Sequence, residues 1–490
     1  MRDKSSSQLL LHDDVQSEPL MSRAKFRLGD STVQPLLVGV ILTRFSIDMS
    51  ISMMNSFFPS YANQVFEINP EKVGVILSLY SLFGALISVF TAWLCSWKGK
   101  VPILAIGLVL VATGTFGFGF GETTLFFSVM RSIQGIGHSM GTVAGVSLIL
   151  SNMFNSEAAL GLLQLTGGVA SVFGSLIGGA LFKRFGFKLT FFVLTAFPLV
   201  GLCVLILVIS CYGKSWAIFD QIKKKDDHTT FPRSMFSTTL CLGCLAAFGA
   251  VFILGFLGPT AEPHLKRSIS WSSLGIGLIQ TVPGGFFILT AVLVDKLSAK
   301  IGRKSVICLG CFLLGIALAA TGPPPFFIPL IHHVSVSLTI IFASLLIFGV
   351  AAALVVVPLI PFVQSTVQGK PEDTSNALAS IFQMSLASGG FFGPFLAGFI
   401  LVNLPQVSEM TCDSAFVKDL GCQSGYPYAS LIIGGIMVMI SVLLWTFLPN
   451  PAKRDDYATL EHSDNEEPGL IVGQDLPSQA LNPQYASQKI

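Results

Sequence analysis

Apolar stretches of about 20 residues recur along the whole chain, each closed by a short polar break, and a hydrocarbon core of ~30 Å takes about that many helical residues to cross. The pattern predicts twelve membrane-spanning helices: Pro35 to Phe58, Val73 to Cys95, Val101 to Phe120, Leu125 to Asn152, Ala158 to Phe182, Leu189 to Cys211, Met235 to Leu257, Leu274 to Leu297, Ser305 to Thr321, Val336 to Phe362, Ala377 to Val402 and Tyr428 to Leu448. A charged segment containing KKKDDHTTFPR separates the first six from the last six. The organisation read from this is a polar tail (1–33), a six-helix bundle (34–211), a linker (212–234), a second six-helix bundle (235–448) and a polar, acidic tail (449–490). Six spans on either side of a linker imply two bundles related by a pseudo-twofold along the membrane normal.

Composition agrees with that pattern. Of 490 residues 52% are apolar and 11% are charged, against about 25% charged in a soluble globular chain. The first 33 residues lack the layout of a cleavable signal peptide, so the first span is expected to act as an uncleaved anchor. A net charge of +2 says little, but its distribution sets an orientation. With both tails in the cytoplasm, inner segments hold 20 of the 29 Lys and Arg, outer loops hold 7, and Arg44 and Arg131 lie within spans. Seven of the nine cysteines fall in or beside spans and read as small packing residues; Cys412 and Cys422 share one outer loop, where a disulfide is expected.

Two spans carry charge inside the bilayer. The first holds Arg44 and Asp48, four residues apart and so on one helix face. The fourth, VMRSIQGIGHSMGTVAGVSLILSNMF, holds Arg131, Gln134 and His138 together with Gly135, Gly137, Gly141 and Gly145. Arginine in hydrocarbon costs ~2.5 kcal/mol or more, so such groups normally face a bundle interior or a watery cavity. The glycines have the small-xxx-small spacing that lets helices approach closely. Histidine titrates near neutrality, which makes His138, with Asp48, a candidate proton carrier. An equally open reading makes Arg131 and His138 satisfied structural groups that lock the first and fourth spans together.

The six-linker-six layout resembles the major facilitator superfamily, and Arg131-Ser-Ile-Gln134-Gly135-Ile-Gly137 resembles the fourth-span signature of its drug and amine antiporters. RSIQGIGHSMGTVAG, the following GLLQLTGGVASVFGSLIGGALFKRFG, FLGPT at Phe256 to Thr260 and GGFFGPFLAGF at Gly389 to Phe399 look most like the vesicular amine and vesicular polyamine transporters. The departures are as specific as the matches. TAWLCSWKGK keeps only the basic residues of the expected loop after span two, whereas VDKLSAKIGRK in the second half retains Asp295, Lys296, Gly302, Arg303 and Lys304. The span-five antiporter signature reads Gly174-Ser175-Leu-Ile-Gly178-Gly179, with serine in place of proline. Gly258 and Gln383 stand where the amine carriers place acids in spans seven and eleven, with Glu262 one turn beyond the former.

The resemblance implies a fold, an all-α polytopic membrane protein of two six-helix bundles, and a mechanism, alternating access around a central passage. Spans one and four both line that passage in the fold resembled. Rise-per-residue arithmetic puts Asp48 about level with Arg131, so that an ion pair between them is expected, and puts His138 near the depth of Arg44. The expected solute and proton pathway is Arg44, Asp48, Arg131, Gln134, His138, Glu262 and Gln383. Gly135, Gly137, Gly174, Gly178, Gly179, Gly393 and Pro394 are expected at packing or gating positions, with Asp295 and Arg303 in the loop after span eight. Gly167/Gly168 and Gly389/Gly390 are expected at matching places in the two halves, and Pro283, Pro358, Pro361 and Pro394 are expected to interrupt their spans.

The expected activity is proton-coupled antiport of an organic, amine-like solute. A carrier of an anionic or neutral metabolite, and a non-transporting membrane sensor, remain the alternatives. No G-x-x-x-x-G-K-[ST] loop points to an ATP-driven pump, and no enzymatic activity, cofactor, metal or nucleic-acid partner is expected. In the last tail Tyr457 to Leu460 fits a Y-x-x-hydrophobic sorting pattern, and Glu466 with Leu470 and Ile471 fits an acidic dileucine pattern. Both suggest adaptor proteins as partners and an endosomal, lysosomal or vesicular membrane, the plasma membrane being the alternative.

Overall fold

The computed structural model describes residues 34–55, 57–68, 70–152, 156–224, 237–268, 273–322, 334–366, 371–403 and 426–448. The two tails, Cys412, Cys422, Tyr457, Leu460, Glu466, Leu470 and Ile471 lie outside the described residues. Those described are almost wholly helical: α1 (Gln34–Asn55), α2 (Phe58–Phe66), α3 (Pro70–Lys98), α4 (Lys100–Phe118), α5 (Thr124–Asn152), α6 (Ser156–Lys224), α7 (Thr238–Ser268), α8 (Ser273–Ile301), α9 (Arg303–Thr321), α10 (Val334–Thr366), α11 (Pro371–Asn403) and α12 (Tyr426–Phe447).

Among the described residues ten helices are long and apolar enough to cross a membrane. One of them, α6, is 69 residues long and makes two crossings. Its two limbs meet at Gly186, where φ of 71° and ψ of −173° break the helix without an intervening loop. A side chain rarely adopts that conformation, so glycine is what permits the reversal. With the limbs of α6 counted separately and α11 added, the long helices are the twelve that hydropathy predicts. The first differs from expectation in length. Helix α1 stops at Asn55, and Phe58 opens the short helix α2, which buries Phe58 against Phe118 and Phe127 on the face away from the linker. The prolines do not interrupt their spans: α8, α10 and α11 run continuously through Pro283, Pro358, Pro361 and Pro394.

The two halves repeat one set of backbone contacts. A Cβ at Gly135 of α5 would strike the carbonyl of Tyr80 in α3, and one at Gly349 of α10 would strike the carbonyl of Pro283 in α8. Gly107 of α4 rests on Gly137 and Gly141 of α5, as Gly310 of α9 rests on Ala351 and Val355 of α10. Gly174 and Gly178 on the first limb of α6 meet the backbone at Met49 and Met53 of α1, as Gly389 and Gly393 of α11 meet it at Phe248 and Phe252 of α7. Gly99 and Gly302, with φ of 92° and 84°, link α3 to α4 and α8 to α9. Gly389 is therefore the counterpart of Gly174, and Gly390 of Ser175, not of Gly167 and Gly168 as the sequence suggested.

The halves meet along α3 and α5 against α11, and along the first limb of α6 against α8 and α10. At the linker end, where α6 finishes and α7 begins, the seam is polar. Lys100 donates to Ser151 (2.9 Å) and to Ser375 of α11 (3.3 Å), Ser147 donates to Asn376 and lies 3.2 Å from the Ser375 hydroxyl, and Asn376 donates to Ser96 (2.9 Å). Further along, Gly390 abuts Ser81, and Gly168 abuts Phe287.

Candidate functional site

Helices α1 and α5 run antiparallel, and their contacts fix which of the intramembrane polar residues meet. Val40 faces Gly145, Arg44 faces Thr142, Asp48 faces His138, and Met54 faces Arg131. The level partner of Asp48 is thus His138, two turns away from the Arg131 expected from the sequence. Because α5 extends beyond the end of α1 by about a turn and a half, or ~9 Å, measuring both spans from their outer ends displaces one against the other. His138 is correspondingly one turn away from Arg44 and level with Asp48.

Four side chains close into a ring at this level. Arg44 Nε donates to Asp48 Oδ2 (2.5 Å), and Arg44 Nη1 donates to Thr142 Oγ1 (2.7 Å). His138 Nε2 lies 3.4 Å from Asp48 Oδ1 and 3.4 Å from Thr142 Oγ1. Both Asp48 Oδ1 and an unprotonated Nε2 are acceptors, so a proton belongs between them, carried by one or the other. The ring can hold a further proton as an imidazolium beside an ionised carboxylate.

The walls are small or aromatic. Gly167 of α6 lies against Asp48 and Arg44, where a Cβ would come within 2.9 Å of Oδ2. The Tyr80 ring packs 5.2 Å from His138 on one side and under the Arg131 guanidinium, at 5.0 Å, on the other. Gly168 and Ser81, next to Gly167 and Tyr80 in sequence, both touch the other half of the molecule. The ring therefore sits in the amino-terminal half beside the seam. Its side chains keep some accessibility, 18% for Arg44, 11% for Asp48 and 13% for His138, whereas Arg131 is 2% exposed.

Arg131 belongs to a second, sealed cluster. Its Nη1 donates to Gln134 Oε1 (3.0 Å) and approaches Met54 Sδ (3.9 Å), and Gln134 Nε2 donates in turn to Thr115 of α4 (3.0 Å). The R-x-x-Q-G-x-G signature is thereby accounted for locally: arginine and glutamine tie α5 to α1 and α4, and Gly135 and Gly137 let α3 and α4 approach at backbone distance.

The other sequence candidates are dispersed. Gln383 is buried in α11. Glu262 falls in the last turns of α7, and its side chain lies outside the described residues. Asp295 of α8 faces Gly161 of α6 across the seam, and Arg303 opens α9. Gly174, Gly178 and Gly393 occupy tight helix crossings and Pro394 packs on Gly255, but Gly179 has nothing within 4 Å of where its Cβ would be. Sequence reasoning passed over Tyr80, Thr142 and Thr115. Thr142 follows His138 by four residues on the same helix face and was open to detection. Tyr80, one of 7 tyrosines, stands mid-span in α3, yet only the tertiary fold shows which groups it joins.

Comparison with known proteins agrees with the fold and the motif. The rat MFS-type transporter SLC18B1 (Rattus norvegicus) is 27% identical over 393 residues, a region covering 74% of this chain and 80% of that protein. The vesicular acetylcholine transporter of Torpedo marmorata is 25% identical over 360 residues, covering 71% of this chain and 67% of that protein. The crystal structure of the human organic anion transporter MFSD10 (TETRAN) superposes with a TM-score of 0.63 at 14% identity, covering 84% of this chain and 99% of that one, a likeness of fold. The sequence profile of the Major Facilitator Superfamily matches residues 40–233 and 243–474. With twelve long helices in two repeated halves and a polar ring beside their seam, this chain belongs to the Major Facilitator Superfamily of membrane transporters and is not an enzyme.

Proposed function

We propose that the chain exchanges protons for an organic solute bearing an amine, with the Arg44–Asp48–His138–Thr142 ring as the place where the two compete. The observation that carries this reading is Asp48, held between Arg44 and His138 and still accessible. A carboxylate in this position takes either a proton, stored on the His138–Asp48 pair, or an ammonium group against Oδ1. It does not hold both, because the ring has one acceptor edge to give. Loading from one side and release to the other then follow from alternate opening of the two halves. A relative whose name specifies acetylcholine supports an amine over a sugar or a neutral metabolite.

The solute is carried across a vesicular or endosomal membrane with both ends of the chain in the cytoplasm; the positive-inside distribution and the vesicular relative support this. Adaptor binding to Tyr457–Leu460 and Glu466–Ile471 would direct it there. The decisive experiment is uptake of labelled amines into proteoliposomes with an acidic interior. Wild-type protein concentrates an amine only while the pH gradient lasts, and Asp48→Asn removes that concentration. Gradient-driven uptake by Asp48→Asn equal to wild type overturns the reading.

A further inference from the structure

Arg44 has three donor edges, and two are engaged. Nε is on Asp48 and Nη1 is on Thr142, whereas among the described residues Nη2 makes no hydrogen bond; it lies near Gly167, 3.8 Å from where a Cβ would stand. A guanidinium edge that is open at mid-membrane is a site for an acceptor, and a carboxylate satisfies it best. The charge balance points the same way. Among residues whose side chains are described, the charged groups in mid-helix are Arg44, Asp48 and Arg131, two positive and one negative. The mirrored positions of the second half, Gly243, Ala247, Leu345 and Ala352, add no carboxylate. A bare cation that displaces the shared proton leaves this positive excess as it was, whereas a solute that also brings an anion offsets it in a low-dielectric region.

We propose that the transported solute is a zwitterion, with an ammonium that meets Asp48 Oδ1 and a carboxylate that takes the free Nη2 edge of Arg44. The inference rests on the amine-exchange reading above and narrows its substrate class. No bond of the Arg44–Asp48 pair has to break: Nε keeps Oδ2, the ammonium replaces the proton shared between Asp48 and His138, and the carboxylate accepts from Nη2.

The test uses the purified full-length protein and two matched sets of probes: tyramine, phloretate and tyrosine, and butylamine, butyrate and γ-aminobutyrate. Binding is read by thermal shift and by competition. In at least one set the amino acid is expected to bind about tenfold or more tighter than its amine and its acid, the gain of one charge-assisted contact. Arg44→Lys retains the charge beside Asp48 but loses the third donor edge, and is expected to bring amino acid and amine to near parity while amine binding is preserved. Amines that bind as well as their amino acids in both sets, with Asp48→Asn abolishing the binding, overturn the zwitterion and leave amine exchange standing. Preference for the bare acids, or binding by neither amines nor amino acids, overturns both. Because the wild-type ratio alone decides the matter, a variant that fails to fold does not remove the test.

Discussion

The two halves of this transporter share a backbone and differ in chemistry. Gly135 on Tyr80 matches Gly349 on Pro283, and Gly174 and Gly178 on α1 match Gly389 and Gly393 on α7. Counting from those fixed points sets Gly243 and Ala247 at the places of Arg44 and Asp48. It likewise sets Leu345, Phe348, Ala352 and Val356 at the places of Arg131, Gln134, His138 and Thr142. Every polar member of the ring and of the sealed cluster has an apolar counterpart, and Ala247, Leu345, Phe348 and Ala352 are buried. The repeated element is close helix packing, which depends on small residues and tolerates any chemistry around them. Among residues whose side chains are described, the mid-helix charges lie in one half, where α1 and α5 supply their partners; a second set would double the cost of burying charge.

Substitutions can break or sharpen that contrast. The largest effect is expected from Asp48→Asn, which should reduce gradient-driven solute uptake to the level of protein-free liposomes. The mirrored change, Ala247→Asn, should leave coupling to the proton gradient intact in whatever protein folds. Next come Gly135→Val and Gly349→Val. Each forces a side chain into a carbonyl of the neighbouring helix and should cost about 3 kcal/mol, in equal measure, by thermal unfolding of the purified protein. Unequal losses would show that the two crossings are not equivalent.

A smaller effect is expected at the linker end of the seam. Asn376→Ala removes hydrogen bonds to Ser147 and Ser96, worth about 1 to 2 kcal/mol of contact between the halves. Cys95, buried beside Ser96, should then react faster with a maleimide in a variant that retains no other cysteine. An unchanged rate would mean that the seam holds without Asn376. The smallest effect separates two adjacent glycines. Gly179→Ala, in open space within a helix, should stabilise by about 0.5 kcal/mol, whereas Gly178→Ala should destabilise by driving a methyl into Met53 of α1.

Much of the fold was legible in the sequence because membrane helices announce themselves by length and polarity. The twelve long helices, the charged segment between halves and the packing role of Gly135 and Gly137 all follow from local pattern. The candidate site was legible in part. Arg44, Asp48, Arg131, Gln134 and His138 stand out as costly groups in apolar surroundings, but their grouping did not follow. Depth counted from helix ends set Asp48 against Arg131, whereas the close approach of Ile47 to Gly141 and Val40 to Gly145 sets the register and delivers Asp48 to His138. Lys100 is a parallel case. In the sequence it is the last residue of the degraded TAWLCSWKGK loop; in the fold it is buried and bonded across the seam to Ser375.

By itself the sequence determined that this protein lives in a bilayer, that it has two repeated halves, and that the second is poor in intramembrane charge, since hydropathy and side-chain chemistry are properties of each residue in turn. Tertiary structure alone decided that Asp48 shares its proton edge with His138, that Arg131 is sealed away with Gln134, and that one edge of Arg44 is left open. Such pairings depend on the axial offset of one helix against another. A glycine contact of a few ångströms sets that offset, and no periodicity within a single helix encodes it.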